Sequence, residues 1–346
     1  MLRSGAVCPV VFRRPRCFAR AVPTASARAN IALVKYWGKR DVPLNLPETG
    51  SLSLTLDALE TRTRVDLVAG ADEDTLHLDG APAPEKARAR VSRFLDRVRA
   101  ATGRSERAAV ASENSFPTAA GLASSASAFA ALAKAAADAY GLDASPRALS
   151  ILARRGSGSA ARSVFGGFAR MNAGTRPDGE DAYAEPVEDA RITLSAAIAV
   201  ADAGEKAVGS TDGMERTRAT SPYHAAWVRQ VERDLEAAQA ALREGDFERL
   251  APVVEGSCLA MHADAMAARP GVIYVRAATL WALERVRGLR AAGTPVCFTI
   301  DAGPHVVAFT PPEHLAAVAA ALGEHPEVKT VLTSPPGAGV RAEAEG

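Results

Sequence analysis

Four places in this chain carry side chains whose types and spacing suit chemistry. Asp301 follows the apolar run 296–300 and precedes a Gly303-Pro304 turn. A carboxylate so placed can orient or deprotonate a reacting group, or it can bond the backbone of the turn it opens. Ser157, Ser159 and Arg162 form a second group. Two hydroxyls with a guanidinium close behind suit a carboxylate or phosphate, which arginine grips at two points; a polar turn between helix and strand is the plainer reading. Lys35-Tyr36-Trp37-Gly38-Lys39 is the third, directly after an apolar strand. It reads either as a phosphate clamp or as a solvated strand end. The fourth is the small-residue run 117–125 (Pro117, Thr118, Ala119, Ala120, Gly121, Leu122, Ala123, Ser124, Ser125) ahead of a long Ala-rich helix. Small residues let backbone approach a ligand. The N–H groups of a helix's first turn favour phosphate, and Ser124 and Ser125 add hydroxyls. Close packing of that helix on a sheet explains the same composition.

Other nucleotide signatures are absent. There is no Gly-x-x-x-x-Gly-Lys-Ser/Thr loop and no Gly-x-Gly-x-x-Gly after a strand.

The elements that must hold these residues follow from periodicity. Residues 30–35 read as a strand. Residues 51–56 and 61–68 alternate polar and apolar, which predicts two strands paired as an antiparallel hairpin. A helix is expected over 84–102, with Val91, Phe94, Leu95 and Val98 on one face. A strand follows at 107–112, then helices to Tyr140 and from Ser145-Pro146 to about Arg155. Residues 163–171 read as a strand, 193–201 as another, and 204–220 as a polar flexible loop. Helices are expected over 221 onward (Trp227, Val231 and Leu235 on its face), 247–261 and 273–291. Short strands at 295–300 and 305–309, a helix at 313–322 and a last strand at 328–332 complete an α+β chain.

Composition sets the class. The chain has 346 residues with 41 basic and 40 acidic side chains, too balanced for a bulk nucleic-acid or membrane-surface binder. No apolar run is long enough to span a membrane. Cys8, Cys17, Cys258 and Cys297 form no metal or redox motif, as in a reduced intracellular protein. Residues 1–28 hold six arginines and no acid, either a transit-type bias or a disordered basic extension; we read them as the latter. A first domain is expected over 29–190, a second over 191–335, with the boundary near 186–195 and a tail at 336–346.

Taken in order, the segments NIALVKYWGKRD, SENSFPTAAGLASSASAFAALAKA, ARRGSGSAARSVFGGFARM and FTIDAGPHVVAFT resemble the diphosphomevalonate decarboxylase family of the GHMP kinase superfamily. The resemblance runs from about Ala29 to Leu332. It implies a GHMP kinase-like fold: an N-terminal domain like the second domain of ribosomal protein S5, and a ferredoxin-like C-terminal domain. It implies ATP- and Mg²⁺-dependent decarboxylation of mevalonate 5-diphosphate to isopentenyl diphosphate in a cytoplasmic homodimer. On that resemblance Asp301 is the catalytic aspartate, Arg162 holds the substrate carboxylate, and Ser157, Gly158 and Ser159 are neighbouring contacts. Tyr36 and Lys39 hold the diphosphate, and Lys35 shares their motif. Pro117, Ala119, Ala120, Gly121, Leu122, Ala123, Ser124 and Ser125 form the ATP-phosphate loop, with Ser125 in the Mg²⁺ shell. Residues 208–214 match a mobile loop with Ser210 on phosphate. Glu48 and His305 depart from the family's pattern. A mevalonate 5-phosphate decarboxylase, a mevalonate-type kinase, a non-catalytic homologue and a plain scaffold are the alternatives.

Overall fold

The computed structural model describes residues 22–116, 124–201 and 208–343. Strand β1 (Thr24–Val34) is buried along nearly its whole length, because small and apolar residues occupy both of its faces. A short hairpin, β2 (Lys39–Asp41) and β3 (Leu46–Pro47), follows. Then comes β4 (Ser51–Val68), antiparallel to β1. This corrects the expected hairpin: 51–56 and 61–68 are one strand. No glycine or proline lies between them to make a turn. The pairing instead slips, from Arg28 opposite Glu60 to Asn30 opposite Thr55. Residues 56–59 therefore bulge, and the bulge shifts the alternation so that one strand looks like two. Two amides of the bulge are satisfied from far along the chain: Asp57 N donates to Pro335 O at 3.1 Å and Ala58 N to Ser334 Oγ at 3.0 Å.

β5 (Thr75–Leu78), β6 (Ala81–Pro82), α1 (Glu85–Thr102) and β7 (Arg107–Asn114) come next, with β7 on the other side of β4. α2 (Ser124–Tyr140) is a buried helix rich in alanine, close against β1 and β4. α3 (Pro146–Gly156) starts as expected: Pro146 needs no donor at the first helical position, and Ser145 Oγ accepts from Ala148 N. Residues 158–164 form a 3₁₀ turn rather than the start of a strand. Asn30 Nδ2 pins that turn through Ser159 O and Ser163 Oγ. β8 (Phe168–Met171) and β9 (Ala184–Pro186) finish the sheet.

The second half begins with β10 (Ser195–Ala201) and α4 (Ser210–Thr220). Residues 210–220 are thus helix, not loop. Met214 and Thr217 are buried, and Gly213 sits against the rings of Trp37 and Tyr274; tertiary packing overrides weak local propensity. α5 (His224–Glu244), α6 (Phe247–Met266) and α7 (Ala277–Ala291) follow, the last starting four residues later than expected. β11 (Cys297–Ile300), β12 (Val306–Thr310), α8 (Leu315–Leu322) and β13 (Val328–Ser334) complete a four-stranded antiparallel sheet in the order β11-β12-β10-β13. That βαββαβ order is ferredoxin-like.

Both ends of the described chain join the large sheet. β1 begins at Thr24, inside the stretch expected to be a disordered extension; Arg28 pairs with Asp57 and Glu60. β14 (Arg341–Ala342) lies in the expected tail and pairs with β1. One apolar cluster runs through both halves, joining Ile31, Leu52 and Leu54 to Ile198, Val231, Leu235 and Val254. Burying each such side chain stabilises the fold by about 2 kcal/mol.

Candidate active site

Two strand ends, one from each half, meet in a cavity of about 720 Å³. β1 stops at Val34 and delivers Lys35; β11 stops at Ile300 and delivers Asp301. Lys35 Nζ lies 2.6 Å from Asp301 Oδ1. Lys35 is 1% exposed. An ammonium buried that deeply without a partner would be unfavourable by several kcal/mol, so the ion pair is part of what lets β1 end here. Both ends rest on α6. Lys35 N donates to Ser257 Oγ at 3.1 Å. Ile300 N donates to Cys258 Sγ at 3.1 Å, and His262 Nε2 donates to Ile300 O at 3.3 Å. His262 serves as a neutral donor: burial, then the nearby Lys35 charge, pushes its pKa down to about 4.

Arg162 comes from the 3₁₀ turn and is 2% exposed. Its Nε donates to Ser53 Oγ at 2.9 Å and Asn30 Oδ1 at 3.1 Å, and its Nη1 to Ser51 Oγ. Among the described residues no carboxylate lies within ion-pair distance of it. Burial pushes its pKa down to about 10, against the opposing pull of Asp301 and Tyr36. A buried cation surrounded by neutral hydroxyls is an anion-binding arrangement.

Tyr36 Oη is buried and has no hydrogen-bond partner among the described residues. Buried hydroxyls are rarely left so, and this one faces the cavity. Its pKa is raised, chiefly by burial. Gly158 makes room for it, since a Cβ there would lie 2.3 Å from Tyr36 Oη. A row of hydroxyls crosses the floor: Ser125 Oγ and Ser157 Oγ are 3.3 Å apart, as are Ser157 Oγ and Ser159 Oγ.

Lys39, at the start of β2, reaches Thr211 Oγ1 on α4 at 3.4 Å. Burial, and then the charge of Arg90, holds its pKa below the usual lysine value; an arriving anion would relieve both effects. Arg90 belongs to a group that sequence reasoning missed. Lys86, Arg90, Arg93 and Arg97 line the same cavity from α1, joined by Arg155 from α3. Their spacing of four, three and four residues puts them on one helix face. That spacing is the signal the sequence carries, masked by the apolar face of the same helix. The wall draws polyanions.

Lys35, Tyr36, Lys39, Ser124, Ser125, Ser157, Gly158, Ser159, Arg162, Ser210 and Asp301 all line this one cavity. Pro117, Ala119, Ala120, Gly121, Leu122 and Ala123 lie outside the described residues. Glu48 and His305 are not in the lining: Glu48 bonds His224, and His305 Nδ1 accepts from Ala201 N at 3.2 Å. Among the described residues no group of three His, Cys, Asp or Glu side chains could cage a metal, and no helix is long and apolar enough to cross a membrane.

Residues 27–184 match the family model for a diphosphomevalonate decarboxylase-like N-terminal domain, and residues 196–335 that for a mevalonate 5-diphosphate decarboxylase C-terminal domain. A diphosphomevalonate decarboxylase of Aspergillus fumigatus is 40% identical over 306 residues, covering 83% of this chain and 76% of that protein. The solved mevalonate diphosphate decarboxylase of Staphylococcus aureus superposes with a TM-score of 0.89 at 36% identity, covering 93% of this chain and 98% of that one. A structure of MDDEF in complex with MVAPP, AMPPCP and magnesium superposes with a TM-score of 0.88 at 42% identity, covering 94% and 99%.

Proposed function

The chain belongs to the diphosphomevalonate decarboxylase family, and from that premise we propose how its cleft turns mevalonate 5-diphosphate and ATP into isopentenyl diphosphate, ADP, phosphate and carbon dioxide. The observation that carries the reading is the Lys35–Asp301 pair at 2.6 Å, facing a buried Arg162 in the same cavity.

A tertiary alkoxide is a poor leaving group. Its phosphate ester is a good one. Asp301 orients the C3 hydroxyl and accepts its proton as the oxygen attacks the γ-phosphorus and ADP departs. Lys35 holds Asp301 in place through the 2.6 Å contact. The C3–O bond then breaks, the phosphate leaves with its electron pair, and positive charge develops at C3. The proton passes from Asp301 to the departing phosphate, so Asp301 faces that charge as a carboxylate. Arg162 holds the substrate carboxylate, whose bond to C2 breaks to give carbon dioxide and the new double bond. Tyr36 Oη, Lys39 and Ser210 bind the diphosphate at the other end, Ser157, Gly158 and Ser159 line the path between, and the α1 basic wall screens the crowd of phosphates.

Residues 117–125 bind the ATP phosphates at the head of α2. The donors here suit a magnesium ion that arrives on ATP, not one caged by protein: the Ser125 hydroxyl would help to hold it, with phosphate oxygens as the other ligands. The ion would neutralise charge on the transferred phosphoryl group. In this reading residues 29–190 form the ATP-binding domain and 191–335 close the cleft. The reading extends to a cytoplasmic homodimer. The family supports it, as do free Cys258 and Cys297, which suit a reducing compartment; gel filtration with light scattering tests the dimer.

The deciding experiment offers mevalonate, its 5-phosphate and its 5-diphosphate in parallel with ATP and Mg²⁺. Matched release of ADP and carbon dioxide from the diphosphate alone is expected. Matched release from the monophosphate would move the substrate, and ADP without carbon dioxide would make this a kinase.

A further inference from the structure

Glu48, a departure from the family's pattern, turns away from the cavity. Its Oε2 accepts from His224 Nε2 at 3.0 Å and pairs with Arg218 Nε at 3.4 Å. On its other side the same imidazole gives Nδ1 to Asp264 Oδ2 at 2.7 Å. His224 opens α5, Asp264 lies near the end of α6, and Glu48 directly follows β3, so the three groups tie the first half of the chain to the second. His224 is 6% exposed and Asp264 1%. Trp227 stacks on the ring at 5.6 Å.

The geometry constrains the proton count. Ionised carboxylates only accept hydrogen bonds, and a neutral imidazole has one N–H. Between two carboxylates the ring can satisfy both only as the imidazolium. A neutral ring would turn a lone pair toward one of the two, losing either the bond to Asp264, whose side chain is fully buried, or the bond to the partly buried Glu48. Arg218, about half exposed, is the other cation at Glu48, and Asp264 Oδ1 has no hydrogen-bond partner among the described residues.

What this clamp holds is the turn at 36–39. Glu48 N donates to Gly38 O at 3.2 Å. Gly38 has φ +112°, and a Cβ there would lie 2.9 Å from Glu48 Oε2. The carboxylate therefore packs on the one residue that separates Trp37 from Lys39. We propose that His224, as an imidazolium clamped between Glu48 and Asp264, is a positioning residue that holds the 36–39 turn so that Tyr36 and Lys39 meet the substrate diphosphate. This rests on the placement of the diphosphate given above.

The pH dependence follows. Burial alone lowers the His224 pKa, but its hydrogen bonds to Asp264 and Glu48 and their charges outweigh that, and the pKa is raised. A base with a raised folded pKa keeps its clamp below that value and loses it as pH rises through it. KM for the diphosphate is then low on the acid side and climbs on the alkaline side.

The test measures kcat and KM for mevalonate 5-diphosphate, and KM for ATP, across pH in the native enzyme, Glu48→Gln and His224→Leu, alongside an NMR titration of the His224 ring. We expect KM for the diphosphate to climb about tenfold on the alkaline limb and to be raised about tenfold at every pH in His224→Leu, with ATP KM changed less than about twofold. Glu48→Gln should move both the limb and the ring titration to lower pH, which separates His224 from Lys39, since Lys39 titrates unchanged. Superimposable profiles for native enzyme and Glu48→Gln would overturn the proposal, as would a ring that titrates like free histidine or a parallel rise in both KM values. Should His224→Leu not fold, Glu48→Gln and the ring titration decide. An unchanged diphosphate KM in Lys39→Ala would overturn the placement of the diphosphate, and the positioning role with it, whatever the ring titration gives.

Discussion

At the scale of single residues, the site sets a partly exposed carboxylate, Asp301, against the deeply buried cations Lys35 and Arg162. In the proposed mechanism Asp301 is the group with no substitute. Asp301→Asn keeps the shape but removes the acceptor for the C3 proton and the charge opposite the developing cation. We expect turnover to fall by about a thousandfold or more, with ATP affinity by calorimetry unchanged. Loss of ATP binding in a folded Asp301→Asn enzyme would contradict the role. Much of this site is legible in the sequence, because Asp301, Arg162, Lys39 and the serines sit in long motifs. What stays hidden there are partners brought in by folding. The clamp on Glu48 is drawn from positions 224 and 264, and no local pattern joins 48 to either. The α1 arginines are visible in type but not in destination, since a charge stripe on a helix is usually a solvated face.

At the scale of elements, α6 is the platform on which the strand ends that deliver Lys35 and Asp301 are aligned. Its residues Ser257, Cys258 and His262 lie on one face and grip the backbone of Lys35 and Ile300. This has a stability signature. The His262 pKa is depressed to about 4 in the fold, against about 6.5 when unfolded. Between those values the unfolded chain takes up a proton that the folded chain refuses. Stability is therefore full above the unfolded value and is lost as pH falls toward the folded one. The loss should be roughly 2–4 kcal/mol, read by urea unfolding at stepped pH. His262→Gln should flatten that slope; an equally steep slope in the variant would assign the loss to other groups. Elements with a clean 3.6-residue period, such as α1 and α5, are readable from the chain. β4 is not, because its bulge is stabilised by residues 334–335 from the far end. α4 is not, because what makes 210–220 helical is the packing of Gly213 against aromatic rings from elsewhere and the burial of Met214 beside it.

At the scale of the whole molecule, the two halves share one core. Ile31, Leu52 and Leu54 pack in the same cluster as Ile198, Val231 and Leu235, so separating the halves would expose a large apolar face. We expect a single calorimetric unfolding transition, shifted upward by ATP analogue with Mg²⁺. Two resolved transitions would show the halves to be independent. The ferredoxin-like order of the second sheet is implied by family resemblance; the shared core is not, since amphipathic periodicity says which face is apolar and not whose face covers it. The pairing of β14 with β1 bears on how the protein is made. Arg341 Nε donates to Ser26 Oγ across 315 positions of sequence, and the backbone of β14 occupies an edge of β1 that no other described strand covers. A growing chain must carry that edge open, an invitation to pair with a neighbouring chain, while the 315 positions that separate Arg341 from Ser26 are made. The strand that closes it is synthesised hundreds of residues later, so ribosomes crowded on one message hold many such edges close together, and the nascent chain needs chaperone cover most in the interval before β14 emerges.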